Sequence, residues 1–104
     1  MQSTENLVFP PKGFNGTRSA AFSSRDLIEN FLDEGASKVL LDLSGVEGTQ
    51  GFVDELVGRL VVERGQTVVA RLGFRNCSDN MKALIRFVLS DRAEQVRNRA
   101  ESYA

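Results

Sequence analysis

"LLDLSGVEGTQGFVDELVGRL", residues 40–60, is the stretch whose reading decides the fold. It starts apolar, passes through a glycine-containing loop and ends in an amphipathic pattern. Lys38–Leu43, KVLLDL, has the length of a strand and is interrupted only by Asp42. A continuous apolar run of this kind suits a strand covered on both faces, as in a parallel sheet. From Gly51 to Arg64, Phe52, Leu56 and Leu60 recur at four-residue steps, with Val53, Val57 and Val61 beside them. That spacing predicts a helix with one broad buried face, which Gly65 closes. The join, VEGTQ, places the hydroxyl of Thr49 at the mouth of the helix.

Outward from this unit, the pattern alternates. Residues 1–6 are polar and expected to fray. Leu7–Phe9 is a brief apolar run stopped by Pro10 and Pro11, fitting a short edge strand. Lys12–Gly16 reads as a turn. A helix is expected from Thr17 or Ser19 (with a later start at Ser23) to Gly35, its face formed by Ala21, Phe22, Leu27, Ile28, Phe31 and Leu32. After the central helix, Gln66–Arg75 alternates, with Val68, Ala70, Leu72 and Phe74 on one side and Val69, Arg71, Gly73 and Arg75 on the other. One face of this strand is therefore expected to be wet. Ser78 or Asp79 caps a third helix with a stripe of Met81, Leu84, Ile85, Val88 and Leu89. A fourth helical pattern starts at Asp91; its stripe of Ala93, Val96, Ala100 and Tyr103 is thin, so residues 91–104 are expected to be loosely held. Alternation of this order implies an α/β fold with parallel strands and right-handed crossovers. The 104 residues suit one domain.

Composition narrows the function. The chain has no histidine and one cysteine, Cys77. A histidine base, a histidine-based triad and a cysteine-rich zinc site are excluded, as is an internal disulfide. With 13 basic and 14 acidic residues, the net charge of -1 argues against a nucleic-acid binder. No apolar run approaches the roughly 20 residues of a membrane span, and no signal peptide is visible, so a cytoplasmic location is expected. The sequons Asn15-Gly16-Thr17 and Asn76-Cys77-Ser78 are read as chance. No metal or other cofactor is expected.

A strand feeding a helix through a glycine-containing loop is a usual place for a ligand or a modified side chain. The phosphate-loop pattern fails here, because no lysine follows Gly51; the dinucleotide pattern is absent too. Asp54 and Glu55 complement the helix start and would repel a nucleotide phosphate. Thr49 reads first as an N-cap.

The blocks "FNGTRSAA", "VLLDLSGV", "TQGFVDELVGRL" and "FRNCSDNMKALIRFVL" together resemble STAS domains, the fold of bacterial anti-sigma-factor antagonists. They resemble still more closely a STAS-like family of unknown function, over residues 7–90. The resemblance implies a small, mostly parallel or mixed sheet with helices largely on one face. It also implies a non-enzymatic regulator that docks a histidine-kinase-like ATPase or an anti-sigma-factor-type partner. In the antagonists the equivalent loop reads Asp-Ser-Ser or Asp-Ser-Thr followed by Gly, and the partner phosphorylates the hydroxyl residue next to the helix. Aligned on Gly58-Arg59, Gln50 falls at that position here, with Thr49 one residue away. Thr49 is the candidate phosphorylation site this leaves within reach, and Ser44 is a further candidate. The expected partner-binding surface is Ser44, Glu47, Gly48, Thr49, Gln50, Gly51, Phe52, Val53 and Asp54, with an exposed Phe or Val as its apolar centre.

Further residues stand out. Asp42, a lone charge in an apolar strand, must find a partner, most simply the backbone N–H groups of the Ser44-Gly45 turn. Arg18, a cation at a helix start, calls for an anion: Asp42, Glu47 or a ligand. Arg71, Arg75 and Lys38 form a small basic patch if their strands are neighbours. Asn76 closes a turn. Asp54 and Glu55 are adjacent, so their side chains diverge and make no catalytic pair. Two other readings compete with partner docking: a small-ligand or nucleotide sensor binding at the strand C-terminal ends, and a homodimeric scaffold.

Overall fold

The computed structural model describes residues 6–102, without the side chains of Glu101 and Ser102. The described residues form five short strands and four α-helices, in the order β1 (Asn6–Val8), β2 (Gly13–Asn15), α1 (Phe22–Asp33), β3 (Val39–Asp42), β4 (Val46–Gly48), α2 (Gln50–Val53), α3 (Arg59–Arg64), β5 (Leu72–Arg75) and α4 (Asp79–Ser102). The α/β reading holds, and every ladder is parallel.

The three-stranded sheet has the order β1-β3-β5, and β2 pairs with β4 separately. Asn6 lies opposite Val39 and Gly13 opposite Val46, so both ladders keep the same sequence offset. The Gly13 N–H donates to Gly45 O at 2.8 Å across the gap. This bond links the two sheets where the chain passes from one to the other. The turn expected at Lys12–Gly16 is instead largely β2: Gly13, at φ 91, makes the bend, and the residues after it pair with β4.

Facing residues of a parallel ladder point the same way, and alternation does the rest. Val8, Val39, Leu41 and Leu72 are buried against the helices, while Leu7, Leu40 and Gly73 share the opposite face. The core continues through Phe52, Val53, Leu56, Val57, Leu60 and Val61, all fully buried. A helix apolar nearly all round belongs in an interior.

Helix α1 is entered through a 3-10 turn, Arg18–Ala21, with no side-chain cap; the Thr17 and Ser19 hydroxyls lie 3.2 Å from each other. Of its expected face, Ala21, Ile28 and Leu32 are buried, but Phe22 and Leu27 are about half exposed. The helix ends at Gly35, φ 92, whose N–H bonds to Leu32 O at 3.0 Å while that of Ala36 bonds to Phe31 O at 3.0 Å. A left-handed glycine with such paired bonds is a Schellman ending.

Further expectations are corrected. The strand expected over Gln66–Arg75 is a 3-10 turn at Gln66–Arg71 and a strand only at Leu72–Arg75. The turn lets Arg71 fold back onto the open end of α1, where Nη2 donates to Ala36 O at 2.7 Å and to Leu32 O at 3.1 Å. Arg71 caps a helix and is no part of an exposed basic patch. The separate fourth helix is absent: α4 runs unbroken through Asp91. No glycine or proline interrupts it, and Gln95 Nε2 reaches Asp91 Oδ2 one turn back at 3.3 Å. Tyr103 lies outside the described residues, as do residues 1–5 of the segment expected to fray; Asn6 belongs to β1.

Candidate functional site

The join between β4 and α2 is built by three residues. Asn15, buried in β2, donates its amide to Pro11 O at 2.9 Å, Gly13 O at 3.2 Å and Glu47 O at 2.9 Å. Its carbonyl accepts the Thr49 N–H at 3.1 Å, extending the β2–β4 ladder to the helix mouth. Thr49 is extended (φ -87, ψ 169), and its Oγ1 accepts the Phe52 N–H at 3.2 Å, which makes it the N-cap. Gly48 admits no side chain: a Cβ there would lie 2.6 Å from the Phe52 ring and 3.1 Å from Asn15 O.

Beyond α2 the helix widens into a π turn, Asp54–Gly58, before resuming as α3. π-bulges cluster at functional sites. Here the turn buries two carboxylates, Asp54 and Glu55. Asp54 accepts from Arg92 Nε and Nη2, both at 2.6 Å, and from Arg18 Nη1 at 2.8 Å. Glu55 takes Arg25 as its closest partner and Arg59 at 3.4 Å. The Arg92 bonds, aided by Arg18, hold the Asp54 carboxyl below the usual range against the opposing effect of burial. Both guanidinium groups are raised in turn, chiefly by their bonds to Asp54. The partner of Arg18 is thus this buried pair, and neither Asp42 nor Glu47 as the sequence suggested. Gly58 completes the packing, since a Cβ there would collide with Asp54 Oδ1 and lie 2.8 Å from Val88 Cγ1 of α4.

The expected docking surface is only partly at the surface. Ser44 and Gln50 are exposed; Glu47, Thr49 and Gly51 are half-buried. Phe52 and Val53 are fully buried, and Gly48 and Asp54 are buried too. Phe52 and Val53 cannot be an exposed apolar centre, because the helix turns them into the core; Asp54 is held beneath Arg18 and Arg92. The exposed aromatic rings come from elsewhere. Phe14 of β2, 73% exposed, lies opposite Glu47 in the ladder, and Phe87 of α4, 53% exposed, lines a cavity of about 230 Å³ with Arg18, Gln50, Gly51 and Arg92. Asn80 Nδ2 donates to Glu47 Oε1 at 3.2 Å, tying α4 to β4. The Glu47 carboxyl is lowered mainly by a bond from Ser78, then by Asn80.

Asp42 accepts the Ser44 N–H at 3.0 Å, as the sequence suggested, and also Arg75 Nε at 3.0 Å and Asn76 Nδ2 at 3.3 Å. Its carboxyl is lowered by Ser44 first, then by Asn76 and Arg75. Asn76, at φ 57, closes the turn in the left-handed region. Ser78 caps α4, its Oγ accepting the Met81 N–H at 3.1 Å. Asp42 and Asn76 thus tie the ends of β3 and β5 together and share no bond with Thr49.

Sequence reasoning missed Arg25, Arg92, Asn15, Phe14 and Phe87. A signal for the arginines existed: two adjacent carboxylates inside a helix apolar on every side require cations from other elements.

The family model described as the STAS-like domain of unknown function (DUF4325) matches residues 25–82, more than half of the chain. The chain belongs to this family. The STAS-like match runs from within α1 to the first turn of α4, and so includes β4, Thr49 and α2. No curated protein and no solved structure matches the chain. Among the described residues, no helix is long and apolar enough to cross a membrane.

Proposed function

We propose that this STAS-like domain is a non-enzymatic regulatory module that docks a histidine-kinase-like ATPase or an anti-sigma-factor-type protein within a partner-switching pathway. The observation that carries this reading is the surface around the β4–α2 join. Gln50 and the exposed ring of Phe87 line one cavity there, Thr49 caps the helix next to Gln50, and a second exposed ring, Phe14, stands opposite Glu47 in the β2–β4 ladder; Ser44 is exposed at the other end of β4. Exposed aromatic rings with a polar surround are what a protein interface uses at its centre. The rigid join beneath, pinned by Asn15 and capped by Thr49, supports a preformed docking surface. Thr49 and Ser44 are the residues a partner kinase would modify; a phosphate adds about -1.5 to -2 charges to a surface that must dock.

The test is calorimetric titration of the purified chain with a histidine-kinase-like ATPase domain from the same organism, taken from a neighbouring gene where one exists. Saturable binding that is lost in Phe14→Ser and in Phe87→Ser supports the reading; absence of binding to the wild-type chain overturns it. Incubation with the same ATPase and ATP, then mass analysis of the 44–51 peptide, reports modification. The rival reading, a small-ligand sensor, draws on the cavity beside Arg18 and Gln50. A ligand that raises Tm in proportion to the logarithm of its concentration, and fails to do so in Gln50→Ala, would favour it.

A further inference from the structure

On the far side of α4 from the Asp54 network, strand β5 ends the sheet: it pairs with β3, and no other described strand lies on its second edge. An apolar groove opens on the side of β5 from which Phe74 projects. Two cavities, of about 250 and about 750 Å³, share Leu89 and Arg86 and open between α4 and the segment from the 3-10 turn to β5. Val69, Phe74, Ile85 and Leu89 supply the apolar walls. No acidic side chain lines either cavity; the charges on the rim are Lys82 and Arg86, one helical turn apart and both exposed. The contrast with the rest of the fold is informative. Arg18, Arg25, Arg59, Arg64, Arg71 and Arg92 all engage carboxylates or carbonyls, whereas neither Lys82 nor Arg86 has a side-chain ion pair or hydrogen bond among the described residues.

We infer that this groove takes an extended, acidic, amphipathic segment of a partner polypeptide, added as a strand along β5. Strand addition gives backbone bonds at an open edge and places alternate side chains on one face. The apolar side chains would enter the groove over Phe74 and Leu89, and carboxylates would meet Lys82 and Arg86. The surface is distinct from the β4–α2 join, so this inference and the proposed docking there can fail separately.

A fluorescein-labelled synthetic peptide alternating valine and glutamate is the probe, with a valine–lysine peptide as control. Anisotropy titration should show saturable binding of the glutamate peptide only. Lys82→Glu/Arg86→Glu should weaken it about tenfold, as expected for two surface ion pairs, and should gain binding of the lysine peptide. N-methylation of alternate peptide nitrogens should abolish binding, and Leu89→Asp should abolish it for both peptides. Cys77, the single cysteine, lines the groove and gives an internal readout: the bound peptide should slow its labelling. Equal binding of both peptides, no saturable binding, or binding that survives N-methylation overturns the inference. Sedimentation of the chain with phosphatidylglycerol vesicles, lost in Lys82→Glu/Arg86→Glu, would assign the groove to an anionic membrane instead and overturn it equally.

Discussion

Replacing Arg92 by alanine removes both 2.6 Å bonds to Asp54 and leaves a carboxylate, whose side chain is 9% exposed, with Arg18 alone. Stripping one partner from a buried pair costs about 3–5 kcal/mol when the remaining charge has no other compensation. Arg18 persists at 2.8 Å, although its own side chain is 55% exposed and partly screened. The expected loss is therefore smaller, about 2 kcal/mol at neutral pH, or about 10 °C in Tm for a chain of this size. The pH dependence has a definite sign. Asp54 has a folded pKa below its ordinary 3.8, so its contribution is fully present above that value and fades as pH falls through the lowered one. In Arg92→Ala the carboxyl protonates more readily, so the penalty should shrink below roughly pH 4. Urea denaturation of both proteins at pH 7 and at pH 3, with m-values compared, measures this. A penalty under about 0.5 kcal/mol at pH 7, or one of equal size at pH 3, would refute the account of Asp54 as a buried charge that depends on Arg92.

Gly58→Ala forces a methyl group against Asp54 Oδ1 and Val88 and should cost about 1–3 kcal/mol by thermal denaturation, whereas a solvent-facing Gly→Ala in a helix would stabilise. Thr49→Ala deletes the N-cap oxygen and should cost about 1 kcal/mol, with Thr49→Ser restoring most of it in the same melt. Asn76→Gly keeps the left-handed turn but loses the bond to Asp42, whereas Asn76→Ala loses both, so Ala should be the less stable of the two.

The central unit was legible in the sequence because its signals agree. KVLLDL has only one use as a buried parallel strand, and Phe52 to Val61 has the period of a helix; Thr49 as cap followed from residue type and position. The exposure of that helix was misread. Its N-terminal half was expected to face a partner, but Phe52 and Val53 continue the same buried face as Leu56 and Val57. The π turn had no signature at all, since it depends on Asp54 and Glu55 being drawn toward arginines on α1 and α4 and in the 3-10 turn before α1. Gln66–Arg71 alternates like a strand, yet the long reach of Arg71 to the carbonyls of α1 wins over the local pattern. Strand β2 was hidden because three residues, GFN, are too few to carry a period, and its pairing is set by β4.

The shared offset of the β1–β3 and β2–β4 ladders has an evolutionary corollary. The linker after Val8 and the linker after Asp42 are yoked: a residue gained in one and not the other would slide Asn15 past Gly48 and unseat Thr49 from its anchor. Family members should therefore lengthen or shorten the two linkers as a pair, and solitary insertions should cluster elsewhere along the chain.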